Sequence, residues 1–250
     1  MPGRLVVVSG GGTGIGKAIA ATFAASGDRV VIIGRRREVL EKARSDIGED
    51  RIHVMAADLR DPGQVERAGD RIAALGEVGV LVNNAGANAT PPTDDSLHAL
   101  SAAWRHDLDT NLLTAVLLTS ALRDRLARPG GRVVVISSTA AQRGGTGAHS
   151  YGSYAAAKAG LHGWSLGLAK ELGPAGITVN VLAPGYIAGT EIFGDTADGA
   201  FRSRKRDDTL VGRVGTPRDV AAAVDYLASP DAGYLTGQVI GLNGGAVLGR

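Results

Sequence analysis

The sequence predicts an α/β fold, a doubly wound parallel sheet of about seven strands with helices on both faces, and three observations predict it. Short β-branched runs recur along the chain, they are apolar on both faces, and they alternate with helix-length stretches rich in Ala, Leu and charge. The runs are LVVV at 5–8, VVII at 30–33, IHVM at 52–55, VLV at 80–82, VVVI at 133–136, TVNVL at 178–182 and QVIGL at 238–242. Strands without an apolar/polar alternation are buried on both sides, which requires helices above and below the sheet and right-handed crossovers between parallel strands. The 250 residues suit one domain over 1–250, with no solenoid-length repeat, low-complexity tract or Pro-rich linker. The least regular stretch, 189–212, replaces the strand-helix rhythm with charge and small residues and is expected to be a mobile lid over a substrate site.

Composition excludes several classes of function. The 27 basic and 25 acidic residues leave a net charge of +2, too small for a nucleic-acid footprint. There is no cysteine, so disulfides, thiolate nucleophiles and Cys-ligated metals are excluded together, and the five histidines show no ligand spacing; no metal is expected. The opening MPGRLVVVSG has only four consecutive apolar residues before Ser9, too few for a signal or a membrane span. No membrane partner is expected, and the location is read as cytoplasmic.

The first strand runs into SGGGTGIGKAIA, with Gly10, Gly12, Gly14 and Gly16 ahead of a helical pattern. One glycine allows a tight turn, another lets the backbone approach a pyrophosphate, the last lets helix and strand pack closely, and the helix N-terminus offers N–H groups to an anion. A plain glycine-rich turn is the alternative, but the flanking strand and helix are those a phosphate site requires. At the end of the second strand, IIGRRREVL puts Gly34 where a carboxylate would accept the ribose hydroxyls of NAD, followed by Arg35 and Arg36. Missing acid and added bidentate cations favour a 2′-phosphate, hence NADP(H) over NAD(H). The other reading of Arg35 to Arg37 is a solvated helix start, although cations in a first turn oppose the helix dipole.

In HSYGSYAAAKAG at 149–160, Tyr154 and Lys158 are four residues apart and share a helix face, whereas Tyr151 is seven from the lysine. Tyr154 is therefore the partner. A phenol with an unperturbed pKa near 10 serves as an acid or base at neutral pH when a cation stabilises the phenolate, and Lys158 can supply that charge. An ordinary surface contact is the alternative for an isolated pair of this kind.

Taken in order, SGGGTGIG, the Asp58-Leu59 pair, NNAG at 83–86, Asn111 in DTNLL, the serines of VVVISS, YAAAK at 154–158, NVLAPGYIAGT at 180–190 and YLTGQVIGLNGG resemble the short-chain dehydrogenase/reductase family over essentially the full length. Within it the chain looks closest to 3-oxoacyl-acyl-carrier-protein reductases. The resemblance implies a single Rossmann-fold domain and an NAD(P)-dependent oxidoreductase acting on alcohols or carbonyls, commonly a homotetramer. It implies catalytic roles for Asn111, Ser138, Tyr154 and Lys158. Cofactor contacts are implied for Gly10, Gly12, Thr13, Gly14, Ile15, Gly16, Arg35, Arg36, Asp58, Leu59, Asn84, Ala85, Gly86, Tyr154, Lys158, Pro184, Gly185 and Ile187. By the same resemblance Lys158 holds the nicotinamide ribose, Asn111 maintains a water linking that lysine to solvent, and Ser138, rather than its rival Ser137, stabilises the substrate oxygen.

Three departures from the family pattern bear on substrate. Ser9 stands where Thr is usual. The sixteen residues from Ser138 to Tyr154 make a longer loop than usual at the site mouth. Ala175 replaces a basic residue often found before GITVN, which weakens acyl carrier protein as a partner, while FRSRKR at 201–206 reads either as an attractor for an acidic carrier or as a solvated helix balanced by Asp207 and Asp208. A small carbonyl or alcohol is the expected substrate. The competing hypothesis is a non-catalytic NADP-binding sensor or scaffold, which would need the phosphate turn but not the Asn111, Ser138, Tyr154 and Lys158 set. The small residues Ala155, Ala156, Ala157, Ala159, Gly160 and Gly163 in the helix expected over 153–172 suit a two-fold helix contact in a homotetramer.

Overall fold

The computed structural model describes residues 3–144, 152–192 and 199–249. All seven apolar runs form strands: β1 (Leu5–Ser9), β2 (Arg29–Gly34), β3 (Ile52–Ala56), β4 (Val78–Asn83), β5 (Arg132–Ile136), β6 (Thr178–Pro184) and β7 (Val239–Leu242). They pair in parallel in the order β3-β2-β1-β4-β5-β6-β7. The order reverses between β1 and β4, where neighbouring crossovers leave in opposite directions and open a crevice at the strand C-termini.

Successive strand residues point to opposite faces, so each run feeds two cores. On one face Val7, Val31, Leu81, Val133 and Val179 pack beneath helices α3 (Pro62–Ala73), α5 (Thr114–Leu122) and α7 (Ser153–Leu172). On the other, Val6, Val8, Ile32, Val82 and Val134 meet α1 (Gly14–Ala25), α2 (Arg37–Ile47) and α9 (Pro217–Ala228). Helix α4 (Leu97–Leu108) leans on α7, and α6 (Ala140–Arg143) and α8 (Gly199–Asp207) complete the described helices. Local signals set several boundaries. Asp61 accepts the Gln64 N–H ahead of Pro62 in α3, and Thr216 and Asp219 form a capping box ahead of Pro217 in α9. Between α4 and α5 the backbone widens into a π-turn over Asp109–Leu113, a form frequent at functional sites.

The crevice depends on one close backbone approach. Gly10 turns the chain at φ 65° and donates its N–H to Ile33 O at 2.7 Å, and α1 then returns so tightly that a Cβ on Gly16 would lie 2.1 Å from Gly10 O and 2.6 Å from Asn84 Nδ2. The obstacle is backbone and cannot rotate away. Gly16→Ala is expected to destabilise the protein by about 1–3 kcal/mol by overpacking and to lower its melting temperature by several degrees; an unchanged thermal midpoint would show that α1 can shift.

Candidate functional site

A cleft of about 340 Å³ lies at the reversal point, lined among others by Gly10, Gly12, Thr13, Gly14, Ile15, Arg35, Arg36, Asp58, Leu59, Asn84, Ala85 and Gly86. Twelve residues expected from sequence thus meet in one place. Gly16 lies beneath the floor as a packing residue. Pro184 at the end of β6, and Gly185 and Ile187 after it, lie outside this lining; Pro184 O accepts the Thr139 N–H, Gly185 N–H donates to Leu242 O, and the Ile187 side chain is buried in the core. Ile187 can therefore face a ligand only through its main chain.

The glycine turn leaves main-chain donors open at the start of α1. Thr13, at the N-cap of α1, makes no capping bond with its side chain, and no acid occupies the first turn, so the first N–H groups of α1 are left for another acceptor. Ser9, whose Oγ accepts N–H groups from Asn84 at 2.9 Å and Ala85 at 3.0 Å, ties the end of β1 to the NNAG turn, and Asn84 Nδ2 donates back to Ser9 O at 3.0 Å. The hydroxyl, not the missing Thr methyl, carries that tie.

At the end of β2 Gly34 leaves room, since the nearest atoms to a Cβ there would be those of the Leu40 side chain, at 3.4 Å and beyond. Arg35 is exposed, while Arg36 reaches across the mouth to Glu191 at 2.8 Å. Arg60, which composition alone did not single out, grips Asp58 through both carboxyl oxygens and holds its pKa down at about 2. Thr110, Thr114 and Thr190 also line the cleft unanticipated.

Next to the cleft, β5 and α7 bring the reactive residues together. Lys158 is 4% exposed, with Nζ donating to Ile136 O at 3.1 Å and lying 5.8 Å from the Tyr154 ring centroid. Burial pulls its pKa down to about 8. Burial pushes the Tyr154 phenol up, partly opposed by a hydrogen bond with Ser138. This differs from the sequence expectation that Lys158 lowers the phenol pKa: removal from water is the dominant influence on the phenol. The two candidate serines differ in their contacts. Ser138 meets Tyr154, whereas buried Ser137 donates to Lys158 O at 2.9 Å and meets His162 Nε2 at 2.8 Å. Asn111 is 1% exposed in the π-turn; Nδ2 donates to Asp107 O at 3.2 Å and Oδ1 accepts the Ala87 N–H at 3.0 Å. A Cβ on Gly86 would lie 2.8 Å from Asn111 Oδ1 and 3.1 Å from Lys158 Nζ, so only glycine lets the cleft reach both.

Other expected features fall differently. Tyr151 and residues 145–150 of the Ser138 to Tyr154 loop lie outside the described residues, as do residues 193–198 of the expected lid. Of the FRSRKR stretch, Lys205 pairs with Asp208 and Arg206 with Asp207, as in a solvated helix. Among the described residues no helix is long and apolar enough to cross a membrane, and no group of His, Cys, Asp or Glu is arranged to hold a metal.

A family model described as enoyl-(acyl carrier protein) reductase matches residues 10–247. The chain belongs to the short-chain dehydrogenase/reductase family. It is 36% identical over 250 residues to the 3-oxoacyl-(acyl-carrier-protein) reductase FabG of Escherichia coli (strain K12), covering 98% of both chains. Among solved structures it is similar to a short chain dehydrogenase from Burkholderia cenocepacia J2315 in complex with NADP, at 35% identity, TM-score 0.85 and 97% coverage of both chains. It is likewise similar to a dehydrogenase/reductase from Sinorhizobium meliloti 1021, at 31% identity and TM-score 0.88, over 99% of this chain and 96% of that one. As a member of this family the protein is a short-chain oxidoreductase.

The buried lysine has a measurable cost. An ammonium whose pKa falls from 10.5 unfolded to about 8 folded makes the unfolded chain the better proton binder between those values, so stability rises with pH across that window. Below about 8 the full penalty applies. Lys158→Met is expected to stabilise the cofactor-free protein by about 1–3 kcal/mol at pH 7, with the gain in melting temperature shrinking from pH 8 to 10.5. A gain independent of pH would assign the effect to packing instead.

Proposed function

We propose that the protein is an NADPH-dependent carbonyl reductase, acting reversibly as an alcohol dehydrogenase, with Tyr154 as the acid and base. The observation that carries this reading is the convergence of Ser138, Tyr154 and Lys158 beside a cleft whose floor is the glycine turn. The residues fit a dinucleotide: the uncapped start of α1 and the Gly10–Gly14 turn would hold the pyrophosphate, Asp58 and Leu59 would flank the base, and Gly86 and Lys158 would meet the nicotinamide ribose. When bound, the nicotinamide supplies a hydride for the carbonyl carbon.

The chain's own residues do the rest. Ser138 Oγ and the Tyr154 phenol address one point, where a carbonyl oxygen gains negative charge, and Tyr154 donates the proton that neutralises it. A phenol pushed up by burial is fully protonated at neutral pH, which suits reduction. Lys158 supports the transient phenolate electrostatically, while Asn111 fixes the π-turn and the Ala87 main chain beside it. Ketones, aldehydes and 3-oxoacyl thioesters are the substrate class, the last supported by the name of the FabG relative.

Consumption of NADPH with a panel of these carbonyls tests the reading. Turnover by the wild type, lost in Tyr154→Phe while NADPH still binds, is expected; binding without turnover on any substrate would identify a dinucleotide sensor.

Cofactor choice is tested separately. Arg35 is exposed and free to meet a 2′-phosphate, and charge-assisted hydrogen bonds worth roughly 1.5–3 kcal/mol each favour NADP(H) by about tenfold or more in kcat/KM. Arg35→Ala should erase most of that preference and leave kcat/KM with NADH nearly unchanged. Equal use of both cofactors by the wild type would reduce Arg35 to a solvated helix start.

A further inference from the structure

Asp107, in the last turn of α4, is 1% exposed. Burying a carboxyl group is costly unless its oxygens are satisfied, and here both are used. The Thr90 N–H reaches Oδ1 at 3.0 Å and Oδ2 at 3.3 Å, and Ser153 Oγ donates to Oδ2 at 2.5 Å. The main chain of the same residue accepts Asn111 Nδ2 at 3.2 Å.

Each partner belongs to a different part of the site. Thr90 is in the loop that leaves β4 through Asn84, Ala85 and Gly86 along the cleft, and three residues before it Ala87 is held by Asn111. Ser153 is the first residue of α7 and the neighbour of Tyr154. That helix starts without a side-chain cap, behind Gly152 in the left-handed region at φ 75°, so its own first turn does little to fix its position. One residue thus joins the loop beside the cleft and the start of the helix that carries Tyr154 and Lys158 through its carboxyl group, and the π-turn through its main-chain carbonyl.

We infer that Asp107 is a positioning residue for the reaction: through Ser153 and Thr90 it holds the Tyr154 end of α7 against the loop flanking the cleft. The inference rests on the carbonyl reductase reading for its kinetic consequence, but the tether itself is observable without turnover. A proton donor must sit within hydrogen-bond reach of the developing alkoxide, and a displacement of about 1 Å costs on the order of a hundredfold in rate. Asp107 touches neither substrate nor cofactor in this arrangement, so its loss should appear in kcat rather than in cofactor affinity.

Full-length wild type, Asp107→Asn, Ser153→Ala and the double variant are compared by steady-state kinetics with NADPH and a carbonyl substrate, by melting temperature and by amide hydrogen exchange. Asp107→Asn is expected to lower kcat about tenfold to a hundredfold, with KM for NADPH changed less than about threefold, and to speed exchange at Thr90 and across 153–158. Ser153→Ala should lower kcat by itself and add less than its own effect on the Asp107→Asn background, because Asp107→Asn already weakens the bond that Ser153 makes. A fall in melting temperature with kcat and local exchange unchanged would make Asp107 merely structural and overturn the inference, as would additive effects in the double variant. Should Asp107→Asn fail to fold, Ser153→Ala decides alone, and unchanged kcat overturns it. If the wild type reduces no carbonyl, the reductase reading fails, while unaltered exchange in the variants would still be needed to overturn the tether.

Discussion

An ammonium buried against the end of β5 constrains everything around it. Lys158 has Ile136 O as its hydrogen-bond acceptor at 3.1 Å, and its depressed pKa records how poorly the surroundings replace water. Gly86 has to lack a side chain to let the loop pass, and Asn111 has to come from a widened helical turn to bring its amide within reach of the same spot. Ser137 anchors the lysine's own carbonyl, and through it β5 and α7 become one rigid unit. Two oppositely directed crossovers at β1 and β4 supply the space in which this unit can face a ligand.

That a destabilising buried charge rests on well-packed strands is the usual division of labour between scaffold and function. The strand residues of both cores are nearly all fully buried, and buried amides among them are anchored: Asn83 Nδ2 donates to Thr119 Oγ1, Asn180 Nδ2 donates to Leu235 O, and Asn180 Oδ1 accepts the Gln238 N–H. The buried lysine lies at the C-terminal edge of the sheet, where β5 ends.

The fold was legible because its signals are local and repeated. Runs such as LVVV and VVVI can be buried on both faces only in a covered parallel sheet, and each became a strand with boundaries shifted by a residue or two. The glycine turn and the Tyr154/Lys158 pair were legible for the same reason, since their geometry follows from spacing along one helix or one turn. What escaped depends on how the folded chain turns and closes. The grip of Arg60 on Asp58 needed the turn after β3, and the reach of Arg36 to Glu191 spans 155 residues of sequence. Asp107 offered a faint signal, four residues before Asn111 and so one helical turn away, but nothing in the sequence disclosed that Ser153 and Thr90 would close on it. The direction of the Tyr154 shift was also hidden, because burial is a property of the folded chain, whereas the neighbouring lysine is visible in the sequence.

The bridge between Arg36 and Glu191 links the two walls of the cleft at its mouth, and both side chains are more than half exposed to water. An ion pair in that setting contributes at most about 1 kcal/mol and is weakened by ordinary salt. The walls are therefore fastened by something thermal motion can undo, while the floor is fastened by backbone and buried carbonyls that it cannot. Traffic through the mouth depends on ionic strength, and the geometry at the bottom does not.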